Sequence, residues 1–182
     1  MKVRFDTFRT PCGDFSIAVN AADAVIATAF GGRASLQSRL PAYPLGGIPA
    51  SRRTVDIRLT PDRAALRRAR EQGVADFEGV SRKFDLPLAP EGTVFQRCVW
   101  TELGRIPFGR TRSYGEVAAT IGFPRAARAV GSANARNPIC LIVPCHRVIG
   151  SDGSHTGFAF GEAIKRRLIE HERTVIARSK PA

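Results

Sequence analysis

No regular helix or central strand can run through residues 86–92. Pro87 and Pro90 lack the amide hydrogen that either structure needs, and Gly92 adds a permissive joint. The 182-residue chain is therefore expected to divide there, into domains 1–88 and 89–182. Before the break, Val3–Phe8, Phe15–Val19 and Ala24–Ala29 are short apolar runs that read as strands, with Pro11-Cys12-Gly13-Asp14 as the first turn. Residues 40–49 hold three prolines and two glycines and read as loop. Pro61–Gln72 reads as a helix stopped by Gly73.

After the break the signals are helical. In Thr93-Val94-Phe95-Gln96 and again in Ser113-Tyr114-Gly115-Glu116, two side chains satisfy orphan backbone donors reciprocally. The first box opens a helix with Phe95, Val99 and Leu103 on one face, ended by Gly104. The second opens a short helix ended by Gly122, and a further helix is expected from about Arg125 to Arg136. The pair reads as a helix-turn-helix or as an ordinary helical hairpin. Its second member is rich in small residues around Arg128. That suits either close approach to a partner or close helix packing. The expected fold is an α/β N-terminal domain plus a mainly α C-terminal domain with a helix-turn-helix.

A net charge of +12 suits a polyanionic partner or a merely solvated basic surface. No Asp or Glu falls between Glu116 and Asp152, and that span carries Arg125, Arg128, Arg136 and Arg147. It is expected to face phosphates. Cys12, Cys98, Cys140 and Cys145 form no CxxC pair, and the three histidines complete no zinc spacing. No metal, no cofactor and no membrane contact are expected. A signal-like start is lacking, which points to the cytoplasm.

Ile139–Val143 reads as a buried strand leading into Pro144-Cys145-His146-Arg147. A thiol is a good nucleophile only as thiolate, and a neighbouring base or cation favours that form. On these residues alone, a core cysteine beside an unrelated histidine is the commoner reading. A catalytic histidine also needs an orienting acceptor, and Glu170 or Glu172 on the last helix could supply it. Ala163, Ile164 and Leu168 are expected to form that helix's buried face.

Pro144-Cys145-His146-Arg147-Val148 resembles the active-site signature of the O6-alkylguanine-DNA alkyltransferases. Gly92-Thr93, Phe95-Gln96, Val99-Trp100, Ile106-Pro107, Gly109, Ser113-Tyr114, Ala126-Ala127-Arg128-Ala129-Val130-Gly131, Asn134, Asn137-Pro138, Gly153, Gly157 and His171-Glu172 fall in the same register. The resemblance covers about residues 76–173, and the first 75 residues match loosely. It implies a ribonuclease-H-like N-terminal domain and a single-turnover transfer from O6-alkylguanine, and from O4-alkylthymine, to Cys145. It further implies that His146 takes the thiol proton through a water, Glu172 orients the imidazole and Asn137 braces the turn. Its partner would be double-stranded DNA, entered from the minor groove by a monomer, with the damaged base flipped out. Arg128 would fill the gap in the stack, and Tyr114 would crowd the phosphate and donate to guanine N3. Ser113, Ala127, Ala129, Gly131, Val148, Ser151, Phe158, Ala159 and Phe160 would line the DNA or the base. Phe160 and Ala159 depart from family members that carry Gly and a hydroxyl there, so a narrowed pocket is expected. A non-catalytic reader of alkylated DNA and a cysteine hydrolase are the rival functions. The nucleophile Cys145 opposes the first, and the Arg128 helix opposes the second.

Overall fold

The computed structural model describes residues 2–40 and 57–179; the loop expected at 40–49 lies outside them from residue 41 on. Strands β1 (Lys2–Thr10), β2 (Gly13–Val19) and β3 (Val25–Phe30) form an antiparallel meander close to the expected segments. Helix α1 (Arg33–Gln37) follows. Strand β4 (Arg58–Pro61) then pairs parallel to β1, giving the sheet order β3-β2-β1-β4.

β4 corrects the expectation of a helix from Pro61. The proline ends an edge strand, where its missing amide hydrogen costs no ladder bond. Helix α2 runs over Arg67–Phe77 and passes straight through Gly73, which does not stop it. A Cβ on Gly73 would come within 2.7 Å of the Phe8 ring, so the glycine serves close packing of α2 on β1.

The second half contains α3 (Val94–Leu103), β5 (Arg112–Ser113), α4 (Tyr114–Thr120), α5 (Ala127–Ala135), β6 (Val148–Ile149) and α6 (Glu162–Arg178). Both capping boxes form as expected. Gly122 turns α4 into α5, with φ +83°. Residues 139–143 are not a strand but a tight turn with isolated bridges. An apolar run reports burial, and a buried turn satisfies it as well as a strand does. Residues 157–161, which carry Phe158, Ala159 and Phe160, form no helix or strand. On α6 the buried residues are Lys165, Leu168, Ile169 and Glu172; of the expected face Leu168 is buried and Ile164 packs against the core, while Ala163 is exposed.

Phe8, Phe15, Ile17 and Val25 from the sheet share one hydrophobic core with Val99, Trp100, Leu103, Val148 and Leu168. The free edge of β3 is covered twice. Val25 exchanges hydrogen bonds with Pro87 and Ala89 of the connecting segment, and the Thr28 amide donates to the Pro138 carbonyl at 2.8 Å. Among the described residues, no helix is long and apolar enough to cross a membrane.

Candidate active site

Asn137 builds the turn that carries the cysteine. Its buried side chain donates to the Val143 carbonyl at 2.8 Å and accepts from the Ile139 amide at 3.0 Å. Between those points Leu141 takes φ +71°, a conformation costly for a branched side chain. The chain then enters a single 3-10 turn, Cys145–Arg147, in which all three residues are buried. β6 follows and pairs parallel with β5, setting Val148 opposite Arg112 and Ile149 opposite Ser113. That pairing ties the exit of the cysteine turn to the start of α4.

Behind the turn lies a closed ionic set. His146 Nε2 is 2.7 Å from Glu172 Oε1. Arg147 Nε donates to both Glu172 oxygens, its Nη2 lies 2.9 Å from Oε1, and its Nη1 donates to the Ile106 carbonyl at 2.7 Å. The Gly109 amide completes the carboxylate's partners at 2.7 Å. Burial alone would raise the Glu172 carboxyl, but hydrogen bonds and charge from His146 and Arg147 hold it down to about 2. Glu170, the other acceptor considered, is exposed. Arg147 is thus no phosphate contact: pairing with Glu172 withdraws it from the basic surface expected of it.

Burial pushes the Cys145 thiol up, against the opposing pull of an Asn137 hydrogen bond and the charges of Arg39 and Lys165. Burial also pushes the His146 imidazole down, despite Glu172. At neutral pH the pair is a thiol beside a neutral base. His146 Nδ1 has no hydrogen-bond partner among the described residues, so the histidine keeps one nitrogen free to accept a proton while Glu172 holds the other.

Tyr114 opens α4, and its hydroxyl donates to the Thr156 carbonyl at 2.9 Å. Burial, then the Cys145 charge, push its phenol up to about 12. Gly157 lies under that ring with φ +75°, and a Cβ there would sit 2.5 Å from the phenol oxygen. Ser113 caps α4. On α5, Arg128 and Ala129 are exposed, Ala127 and Gly131 half-buried. Val148 and Phe158 are buried, Ala159 and Ser151 exposed. Phe160 packs edge-on to Phe30 and to Phe158, both at 5.6 Å, under the Arg39 guanidinium at 4.7 Å.

Two residues escaped the reading of the sequence. Lys165 is fully buried, donates to the Thr156 carbonyl at 2.8 Å and lies 5.7 Å from the centre of the Tyr114 ring. Burial lowers its ammonium to about 8, although Cys145 and Glu162 pull the other way. Its signal was present, since Lys165, Leu168, Ile169 and Glu172 fall at i, i+3, i+4 and i+7 on one helix face. Arg39 also reaches across from the N-terminal half, donating to the Ala135 carbonyl at 3.1 Å.

A cleft of about 670 Å³ opens behind the cysteine turn, between Phe84–Pro90, α3 and Leu141–Pro144, and Cys145 does not line it. Among the described residues, no group of three or more His, Cys, Asp or Glu side chains could hold a metal ion.

The family model described as "6-O-methylguanine DNA methyltransferase, DNA binding domain" matches residues 94–174. A methylated-DNA–protein-cysteine methyltransferase of Methanosarcina acetivorans is 57% identical over 107 residues, which is 59% of this chain and 69% of that protein. One of Mycobacterium tuberculosis is 53% identical over 115 residues, 63% of this chain and 70% of that protein. Among solved structures, Mycobacterium tuberculosis OGT in complex with DNA superposes with a TM-score of 0.77 at 38% identity, over 96% of this chain and 94% of that one.

Proposed function

The chain belongs to the O6-methylguanine-DNA methyltransferase family, and on that premise we propose that it repairs DNA by moving the alkyl group of O6-alkylguanine, or of O4-alkylthymine, onto Cys145. The observation that carries the reading is the relay behind Cys145. A buried neutral imidazole is held by Glu172 at 2.7 Å through Nε2 and keeps Nδ1 free on the same turn as the thiol.

In the proposed step the Cys145 proton passes through a water to His146 Nδ1, and Glu172 stabilises the imidazolium. The thiolate attacks the alkyl carbon, an S–C bond forms and the C–O6 bond breaks. The bonding electrons return to the guanine ring, Tyr114 donates a hydrogen bond to N3, and the proton held by His146 passes back through water to the base. Tyr114 can serve as that hydrogen-bond donor because its phenol, pushed up to about 12, stays protonated at neutral pH. The thioether has no easy reversal, so each molecule acts once.

The duplex is met by α4 and α5, with the small residues Ala127, Ala129 and Gly131 fitting a narrow minor groove. The damaged nucleotide rotates out to lie near Val148 and residues 158–160, and Arg128 takes its place in the stack. We place this activity in a monomer in the cytoplasm, at the nucleoid if the host is bacterial. Residues 1–88 serve as an N-terminal domain and 89–182 as the DNA-binding and acceptor domain.

The test is intact and peptide mass after mixing with duplex bearing O6-methylguanine. We expect a gain of about 14 Da, one methylene, on the peptide carrying Cys145. Cys145→Ala should abolish the gain and keep DNA binding. Modification of Cys12, Cys98 or Cys140 instead, or multiple turnovers as a hydrolase would show, refutes the reading.

A further inference from the structure

The strained turn that presents Cys145 is held from two sides. Asn137 pins it from within, at Ile139 and Val143. The second hold comes from the N-terminal sheet. Thr28, at the edge of β3, is fully buried, and its hydroxyl donates to the Cys140 carbonyl at 2.7 Å. The Thr28 amide donates to the Pro138 carbonyl at 2.8 Å, and Thr28 pairs with Ile139 as an isolated parallel bridge. The turn is thus spliced onto the one edge of the sheet that faces the site.

The placement of that hydroxyl matters. The Cys140 carbonyl and the Leu141 amide belong to one planar peptide unit. Fixing the carbonyl therefore fixes the rotation that leads into Leu141, where φ is +71°. A leucine holds that conformation only when its surroundings over-determine it. Remove the donor, and a buried carbonyl is left unsatisfied next to the strained residue. The turn can then relax, and Cys145 lies two residues past its far end, with its amide bonded to the Val143 carbonyl at 2.8 Å.

We propose that Thr28 is a positioning residue for alkyl transfer, acting from the N-terminal sheet by fixing the peptide between Cys140 and Leu141. The proposal rests on Cys145 being the alkyl acceptor. Among the described residues Thr28's hydrogen bonds outside its own sheet go to Pro138 and Cys140 and none to α4 or α5, so it governs how the thiol is presented and not how DNA is held.

The experiment compares Thr28→Val, which keeps shape and loses the donor, with Thr28→Ser, which keeps the donor. Transfer from a duplex bearing one O6-methylguanine is followed with the full chain in excess. Thr28→Val should lower the maximal rate about tenfold, the scale of one buried hydrogen bond, and leave the half-saturating concentration within about twofold. Thr28→Ser should stay within about threefold of the unaltered chain. Labelling of Cys145 by iodoacetamide, read by peptide mapping, should change in Thr28→Val and not in Thr28→Ser. Should Thr28→Val fail to fold, Thr28→Ala replaces it in the same comparison. An unaltered maximal rate and labelling rate in the donor-less variant overturn the proposal, as does equal loss in Thr28→Ser. If the unaltered chain transfers nothing to Cys145, the functional reading fails instead, and the iodoacetamide comparison still decides whether Thr28 positions the thiol.

Discussion

Arg147 is buried and gives its guanidinium to Glu172 and the Ile106 carbonyl, whereas Arg128 on α5 is exposed and makes no hydrogen bond or ion pair among the described residues. The two arise from the same acid-free stretch, and its charge pattern alone gives no cue to tell them apart. Their surroundings differ in what they require. In the interior, each charge was taken out of water at a cost, so every partner must be present. On α5 a lone cation adds nothing to folding, and its worth must come from a partner outside the chain. Exposed pairs such as Arg9 with Asp14 and Arg67 with Glu71 are worth little either way. The comparison predicts that substitutions behind Cys145 damage stability and chemistry together, and that those on α5 separate the two.

The hardest test is Glu172→Gln. The amide can still take the Gly109 bond but leaves Arg147 buried without its counter-charge. Breaking a buried pair from one side costs about 3–5 kcal/mol, which the midpoint of urea unfolding should show. Transfer should slow by at least about a hundredfold, because the imidazolium loses its stabiliser. The folded carboxyl titrates near 2 and the unfolded one near 4.5, so its contribution is complete above pH 4.5 and lost as pH falls towards 2. A stable variant with normal transfer would show that the interior set is not the working part.

Asp76 sharpens the same contrast from the other side. It ends α2 against α6, buried, with its backbone carbonyl 3.2 Å from His171 Nε2. Burial, and then the Glu172 charge, raise its carboxyl to about 7, against Arg147. The folded protein keeps this proton through a range in which the unfolded chain, titrating near 3.8, has released it. Stability should therefore fall as pH rises from about 4 to 7, and level off above. Asp76→Asn should flatten that fall and gain on the order of 4 kcal/mol at pH 8, with little change at pH 4. An unfolding profile with the same slope in both proteins removes Asp76 from the interior set.

Local signals read well from sequence here, and contacts between distant segments did not. Both capping boxes were legible because the donors and acceptors lie three residues apart. β4 was not, because its reason to exist is β1, more than fifty residues earlier, and Pro61 mimics a helix start. Gly73 looked like a stop until Phe8 was seen beside it. In the site, Cys145, His146, Glu172 and Asn137 were legible as a resemblance, and the structure brings them together. Lys165 was hidden by its charge, which suggested solvent although its helical spacing pointed inward. Thr28, and Phe30 and Arg39 that pack on Phe160, come from the half of the chain that matched loosely, and nothing near them in sequence announces the site.

The gentlest substitution, Arg128→Ala, tests the exposed side of the comparison. With no partner among the described residues, the loss should change folding stability by no more than about 0.5 kcal/mol. Its effect should appear only with a duplex. If Arg128 fills the gap left by the extruded nucleotide, removing it withdraws compensation for unstacking, worth about 1–3 kcal/mol, or roughly five- to 150-fold in rate. A single-stranded substrate has no stack to fill, and its repair should proceed within about twofold of normal. Salt separates this from simple charge loss. A phosphate contact weakens binding to any sequence and lowers the salt slope by about one, for single strands nearly as much as for duplex. A duplex-selective loss at constant salt slope marks Arg128 as a stacking substitute; equal slowing on both substrates marks it as one more cation on a basic face.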